Sequence, residues 1–381
     1  MRNVSVVGIA QIPVEKASTR SLRQLGAEVT IAAMADAGVE KVDALYASNM
    51  LSDELQGQKH IAALIADEAG LTEIEALQVR AATASGAAAL RVGHLAVGSG
   101  EADLAVVVGV EIMSQGVASP ALSKALDAER EVADGATLIS TNAELMRLYF
   151  DRYQVPDDGL VNFSLNAHRN ARHNPNALYR DRTISARAVK NSRIIHAPLR
   201  LLDSSPICDG AAALVLAPTE EARAYNPQPV HILASSVSTD RFRIEDRQDP
   251  LWLEAAHSSS QKAFRQANVN IDEVSFFEVH DAFSIMSCLL MEAVGFAEPG
   301  QGWRLAEDKK ITLKGEIPIS TMGGLKARGH PIGATALYQA CEIVIQLTHR
   351  AGKIQVRNPS VGMMQSVGAA ATTVITHIFS A

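Results

Sequence analysis

The residues best suited to chemistry stand in two short stretches of the second half of the chain. His280 closes an apolar run in Phe276-Phe277-Glu278-Val279-His280-Asp281-Ala282-Phe283-Ser284, and His330 stands within Gly323-Gly324-Leu325-Lys326-Ala327-Arg328-Gly329-His330-Pro331-Ile332-Gly333. Histidine is the side chain whose ordinary pKa lets it move protons near neutral pH. At the C-terminal end of a strand it points to where open α/β sheets take their ligands. The glycines around His330 permit tight turns and close backbone approach, and Pro331 fixes the exit. Such a pattern holds one imidazole rigidly beside space free of side chains. A third candidate, Thr83, sits in Ala81-Ala82-Thr83-Ala84-Ser85-Gly86, between a β-prone run and an apolar helix-forming run. A helix N-terminus offers free N–H groups and favours negative charge, yet an alcohol without a neighbouring base is a weak nucleophile. Cys208, Cys288 and Cys341 lie among apolar residues and read as small core residues. Gly98 and Gly100 form a G-x-G fragment after a helix instead of a strand, so a dinucleotide fingerprint fails. Asp209-Gly210 marks a turn before a core strand.

Strands and helices must position these groups. Strands are expected over residues 4–10, 44–48, 76–82, 104–111, 209–218, 230–238, 274–280 and 369–379. Helices are expected over 21–37, 60–70, 84–98, 144–153, 250–268, 283–295 and 333–350. Strands this apolar are buried on both faces, which implies a mostly parallel sheet covered by helices. From about 115 to 200 the alternation breaks down around Pro120, Pro156, Pro175 and Pro198, as in a long inserted lid or binding loop. Within 161–200, Arg169, Arg172, Arg180, Arg182, Arg187, Lys190, Arg193 and Arg200 are opposed only by Asp181. They make either a solvated face of scattered ion pairs or a positive surface for an anionic ligand. The alternation restarts near 228. Tiny residues open a helix in each half, Ser85-Gly86-Ala87 and Ile332-Gly333-Ala334, so two similar halves facing each other would set both helices in the middle.

Composition narrows the class. Hydrophobic residues make up 47%, charged residues 20% and aromatics 4%, which suits a closely packed α/β protein. A net charge of −7 argues against general nucleic-acid affinity. Three widely spaced cysteines exclude a disulfide framework and a CxxC metal pair, and they suit a reducing cytoplasm. No apolar run approaches the ~20 residues that a bilayer span needs. The first residues read as a strand and not as a signal segment, so a cytoplasmic protein is expected.

Taken together, the stretches 81–91, 109–114, 208–216, 280–284 and 323–335 resemble the thiolase superfamily in order and spacing, over essentially the whole chain. The resemblance is closest to archaeal and bacterial thiolases of the sterol-carrier-protein-X type, where HDAF-like motifs replace NEAF. It implies an α/β thiolase fold of two βαβαβαββ halves in five α-β-α-β-α layers with an inserted loop domain. The N-terminal half would comprise 1–114 and 201–222, the CoA-binding loop domain 115–200 and the C-terminal half 223–381. It further implies a homodimer or dimer of dimers and a CoA thioester ligand, with coenzyme A as (co)substrate and neither a covalent cofactor nor a metal. Arg182, Arg187, Lys190 and Gly324 would bind CoA. By the same resemblance His330 activates the nucleophile and polarises a thioester oxygen, and His280 helps form an oxyanion hole. The N–H groups of Thr83 and Gly368 would form a second hole. The family's nucleophilic cysteine aligns with Thr83, and the places of its second cysteine hold Ala282 and Gln365-Ser366. A helix N-terminus and a histidine can draw a thiol of pKa about 8.5 down to a thiolate, but they cannot ionise an alcohol appreciably. Three readings follow. Acyl transfer ranks first, as 3-ketoacyl-CoA thiolysis or Claisen-type condensation with an altered nucleophile. Retro-aldol cleavage of a 3-hydroxyacyl-CoA is second, and an acyl-CoA-binding subunit without catalysis is third. A small zinc-ribbon and OB-fold partner protein is implied by the resemblance alone.

Overall fold

The computed structural model covers residues 1–381. The first half runs β1 (Val4–Gln11), α1 (Leu22–Asp36), β2 (Ala44–Ser48), α2 (Ser52–Leu55), α3 (Ile61–Glu68), β3 (Glu75–Val79), α4 (Ser85–Ser99) and β4 (Ala105–Ile112). The inserted region carries α5 (Ala118–Ser123), α6 (Leu138–Tyr153), α7 (Val161–Ala171), α8 (Ala186–Lys190) and the hairpin β5 (Ile194–His196) with β6 (Leu199–Arg200). Then come β7 (Asp209–Pro218), α9 (Ala222–Tyr225), β8 (Val230–Thr239), α10 (Glu254–Ala267), β9 (Phe276–Glu278) and α11 (Ser284–Val294). The chain ends with α12 (Gly302–Glu307), α13 (Ile332–Leu347), β10 (Val361–Gly368) and β11 (Thr373–Ser380).

The main sheet has the order β3-β2-β4-β7-β1-β8-β11-β10-β9. β2 pairs parallel with β3 and β4, and β10 with β9, while the remaining neighbours are antiparallel, so the sheet is mixed where the sequence implied a mostly parallel one. β1 and β8 meet only through Val4–Val6 and Val230–Ile232. On either side of that seam the sequence β2-β4-β7-β1 is mirrored by β9-β10-β11-β8. The two halves therefore repeat one pattern.

The helices α4 and α13 pack against each other in the middle, and small residues allow it. A Cβ on Gly86 would lie 2.9 Å from the Gly333 carbonyl oxygen, and one on Gly109 of β4 would lie 2.6 Å from it. Helix α13 is thus clamped between α4 and β4, and its residues are buried almost throughout. One apolar core surrounds this pair, with Leu90, Val107, Leu214, Leu337 and Ile343. A second lies under α1 and α3, and a third joins α6 of the insertion to α10 and α11.

The structure departs from expectation at two turns. The strand expected over 76–82 ends at Val79, because Ala82 takes a left-handed conformation (φ +48°) that swings the chain into α4. The strand expected over 369–379 begins only at Thr373, after an unforeseen β10. Ala369 (φ +56°) and Ala371 (φ +66°) build the turn between them without the glycine or asparagine that announces such turns.

Candidate active site

Thr83 lies between β3 and α4 and is 5% exposed. Ser85 braces the corner, since its Oγ donates to the Ala82 carbonyl (2.6 Å) and accepts from the Ala81 N–H (3.0 Å). The Thr83 hydroxyl donates to the Val367 carbonyl (2.6 Å) and accepts from the Ala369 N–H (3.1 Å). One side chain therefore ties the corner to the β10–β11 turn, with its single proton committed to a backbone carbonyl. The N–H of Thr83 donates to no backbone carbonyl.

His280 follows β9, and His330 lies between a tight turn at Gly324–Arg328 and the start of α13. Their rings meet edge-on, with centroids 5.2 Å apart and planes at 87°. His330 Nδ1 is 2.7 Å from Thr335 Oγ1, which in turn donates to the Pro331 carbonyl (3.1 Å). A hydroxyl has one proton to give, so the arrangement that satisfies both contacts puts a proton on His330 Nδ1 and leaves Nε2 a bare lone pair. His280 differs. Its Nδ1 is buried without a partner. Burying a bare acceptor is less costly than burying an orphaned N–H, so the proton is assigned to Nε2. The pair presents one base and one donor.

Both rings are held neutral. Burial, with the cations of Lys326 and Arg328 behind it, pushes His280 down to about 3. Burial, then His280 and Arg328, holds His330 well below the usual histidine range. Those cations are themselves anchored. Lys326 Nζ donates to the Asp281 carbonyl (3.0 Å) and lies 3.7 Å from its carboxylate, while Arg328 lies 3.0 Å from Glu342. The His330 N–H points at Cys208 Sγ (3.1 Å), and burial pushes that thiol up to about 12, so it stays protonated. Cys288 and Cys341 are likewise buried and raised, and no cysteine lines the site.

Thr83, His280 and His330 line one cavity of about 300 Å³. Most of its remaining wall is apolar, including Leu138 and Ile139 from α6, Phe283 and Met286 at the start of α11, and Ile195 and Leu201 from the segment that leads to β7. Ala282 lies in this wall, whereas Gln365 and Ser366 do not. Gly368 sits between two wall residues, Val367 and Ala369, and a Cβ on it would come 3.0 Å from the Ala81 carbonyl oxygen. Gly324 stands off the wall at φ +55°, where a Cβ would strike the Asp281 carboxylate at 2.5 Å. Arg182, Arg187 and Lys190 are exposed outside the cavity. The Arg182 guanidinium lies 5.1 Å from the Tyr179 ring centre, and Lys190 pairs with Asp158.

Residues without an assigned role in the sequence complete the site. Arg193 reaches the wall from the basic stretch, Asn142 from α6, and Thr335 fixes the His330 tautomer. Glu111 takes hydrogen bonds from the N–H groups of Met50 (2.9 Å), Leu51 (3.1 Å) and Gly333 (2.9 Å) and from Asn49 Nδ2 (2.7 Å), pinning the start of α13. Asn142 lies before the helix expected over 144–153, so no signal in the sequence singles it out.

The family model described as thiolase, N-terminal domain, matches residues 4–220, and the one described as thiolase C-terminal domain-like matches 236–381. The chain is 41% identical over 383 residues to an acetyl-CoA acetyltransferase of Methanothermobacter thermautotrophicus, covering 100% of both. It is 37% identical over 391 residues to an acetyl-CoA acetyltransferase of Methanocaldococcus jannaschii, covering 100% of this chain and 99% of that one. A solved structure named Ltp2-ChsH2(DUF35) aldolase superposes with a TM-score of 0.86 at 22% identity, covering 100% of this chain and 98% of that one. That last likeness is one of fold.

Proposed function

The chain belongs to the thiolase family, and on that premise we propose that it makes or breaks the carbon–carbon bond beside a CoA thioester, without an acyl-enzyme on Thr83. The observation that carries this reading is the hydroxyl of Thr83, bonded on both sides to backbone groups and to neither histidine. An acyl carrier needs an adjacent base to take its proton.

With a 3-hydroxyacyl-CoA in the cavity, His330 Nε2 takes the 3-hydroxyl proton. The C3–O bond becomes a carbonyl as the C2–C3 pair moves into the thioester, forming its enolate. The enolate oxygen accepts from His280 Nε2–H and from the N–H of Thr83. Return of the proton from His330 to C2 gives an acyl-CoA and an aldehyde or ketone, and the reverse path is an aldol condensation. Imidazolium and enolate form together, so each charge stabilises the other in a site where an isolated cation is disfavoured.

Thiolytic or Claisen-type acyl transfer is the second reading, favoured by the acetyl-CoA acetyltransferase of 41% identity over the full chain. It requires Thr83 to leave the Val367 carbonyl and surrender its proton to His330. Arg182 and Arg187, exposed and without acidic partners within ion-pair range, are suited to the phosphates of CoA. A small partner protein in a cytoplasmic complex fits the solved aldolase whose name joins two components.

The test is product analysis with 3-hydroxyacyl-CoA and, separately, with 3-ketoacyl-CoA plus CoA. Carbonyl product and acyl-CoA are expected from the first, falling roughly 10²–10⁴-fold in His330→Ala. Thiolysis of the second without cleavage of the first would overturn the proposal.

A further inference from the structure

Apart from the two histidines, the wall of the catalytic cavity holds a residue with a fixed hydrogen-bond acceptor that has nothing bonded to it. Asn142 is 1% exposed and stands on α6 one turn beyond Leu138 and beside Ile139, both wall residues. Its Nδ2 donates to the Leu138 carbonyl (2.9 Å). That bond fixes which end of the amide is which, since the opposite orientation would set two oxygens against each other. The remaining oxygen, Oδ1, is buried with no partner. Ser204 Oγ is also unpartnered and lines the same cavity, but a hydroxyl can turn to give or accept and so imposes no choice. An amide oxygen only accepts. Left unpaired in an apolar wall, it is a standing cost that a donor on the ligand removes.

We propose that Asn142 is a substrate-positioning residue whose Oδ1 accepts a hydrogen bond from an N–H or O–H group of the bound CoA thioester. This rests on the reading of the cavity as a CoA-thioester site. The donor is not the reacting 3-hydroxyl, because His330 Nε2 takes that proton. It is either an amide N–H of the pantetheine arm or a further hydroxyl on the acyl chain. A ligand that offers only carbonyl or carboxylate oxygens at this point meets acceptor with acceptor and is rejected. The residue thus selects for a donor in a cavity whose wall is mostly apolar.

The experiment measures dissociation constants by calorimetry for wild type, Asn142→Leu and Asn142→Ala. The ligands are CoA, butyryl-CoA, hexanoyl-CoA, 4-hydroxybutyryl-CoA and 6-hydroxyhexanoyl-CoA, none of which has a 3-hydroxyl to cleave. Asn142→Ala cannot overpack the wall, and thermal unfolding confirms that each variant is folded. Weakening of every ligand by about 5- to 100-fold in both variants places the donor on the pantetheine arm. The same loss confined to the hydroxyacyl ligands places it on the acyl chain. Either result supports the proposal. Affinities all within twofold of wild type overturn it while leaving the CoA-thioester reading intact. Failure of wild type to bind any of the five overturns both.

Discussion

At the scale of single residues the site depends on opposite tautomers in two neutral histidines. His280 sits against Lys326 and Arg328 in the interior, and His330 against Arg328 and His280, so protonating either adds a cation where burial already penalises one. Both pKa values lie below the ordinary value near 6.5, so the neutral forms persist as pH falls through the range in which exposed histidines charge. The expected kcat/KM at pH 5.0 is within about threefold of that at pH 7.5. A tenfold loss centred near pH 6.5 would mean that one ring titrates normally. Thr335 is the cheapest place to disturb the pair. Thr335→Val keeps the shape but leaves the buried Nδ1–H of His330 unpaired, at a cost of about 1–3 kcal/mol, and frees the ring to swap tautomers. It is expected to lower kcat about 10- to 100-fold with little change in KM, and Thr335→Ser to restore most of the loss. Equal activity of both variants would remove Thr335 from the account.

At the scale of elements, α13 is the scaffold, because it carries Thr335 and follows His330 directly. It is held by the close approach to α4 and β4 at Gly333 and by Glu111, whose carboxylate collects the Gly333 N–H and three donors from the loop after β2. Burial pushes Glu111 up to about 7, against four hydrogen bonds that favour the carboxylate. Glu111→Ala orphans all four donors at once. A loss on the order of 3 kcal/mol or more by chemical denaturation is expected, with reduced activity from a displaced His330. A change under 1 kcal/mol would show that α13 is held by packing alone. The helices themselves were legible in the sequence, since apolar periodicity and tiny residues at two helix starts imply buried, closely approaching axes. β10 was not. Its sequence, Val361-Gly362-Met363-Met364-Gln365-Ser366-Val367-Gly368, lacks β-branched alternation, and the turn after it is built from alanines held in a left-handed conformation by their surroundings. Tertiary packing, not local propensity, shapes that segment.

At the scale of the whole molecule, the nine-stranded sheet brings together residues from positions 83, 280, 330 and 367 of the chain, and no local pattern states that meeting. The histidines could be picked out because their glycine and proline surroundings have few other uses, and Thr83 because a strand gives way to a helix there. The cavity wall could not, for Asn142, Arg193 and Ile195 come from an insertion whose irregular sequence does not foretell its path. The basic stretch, in turn, divides in the fold. Arg193 reaches the cavity, Lys190 is spent on Asp158, and Arg182 and Arg187 stay on the surface. What the assembled site lacks is a thiol or a free hydroxyl beside a base, and the proposed chemistry therefore runs without an acyl-enzyme. Its most direct test is intact-protein mass spectrometry of wild type and Thr83→Ala during turnover of a 3-hydroxyacyl-CoA, with products measured in the same samples. Carbonyl product and acyl-CoA are expected, with no added mass on either protein and kcat/KM of Thr83→Ala within about tenfold of wild type. An acyl-sized mass increase on wild type, absent from Thr83→Ala together with its activity, would contradict that chemistry.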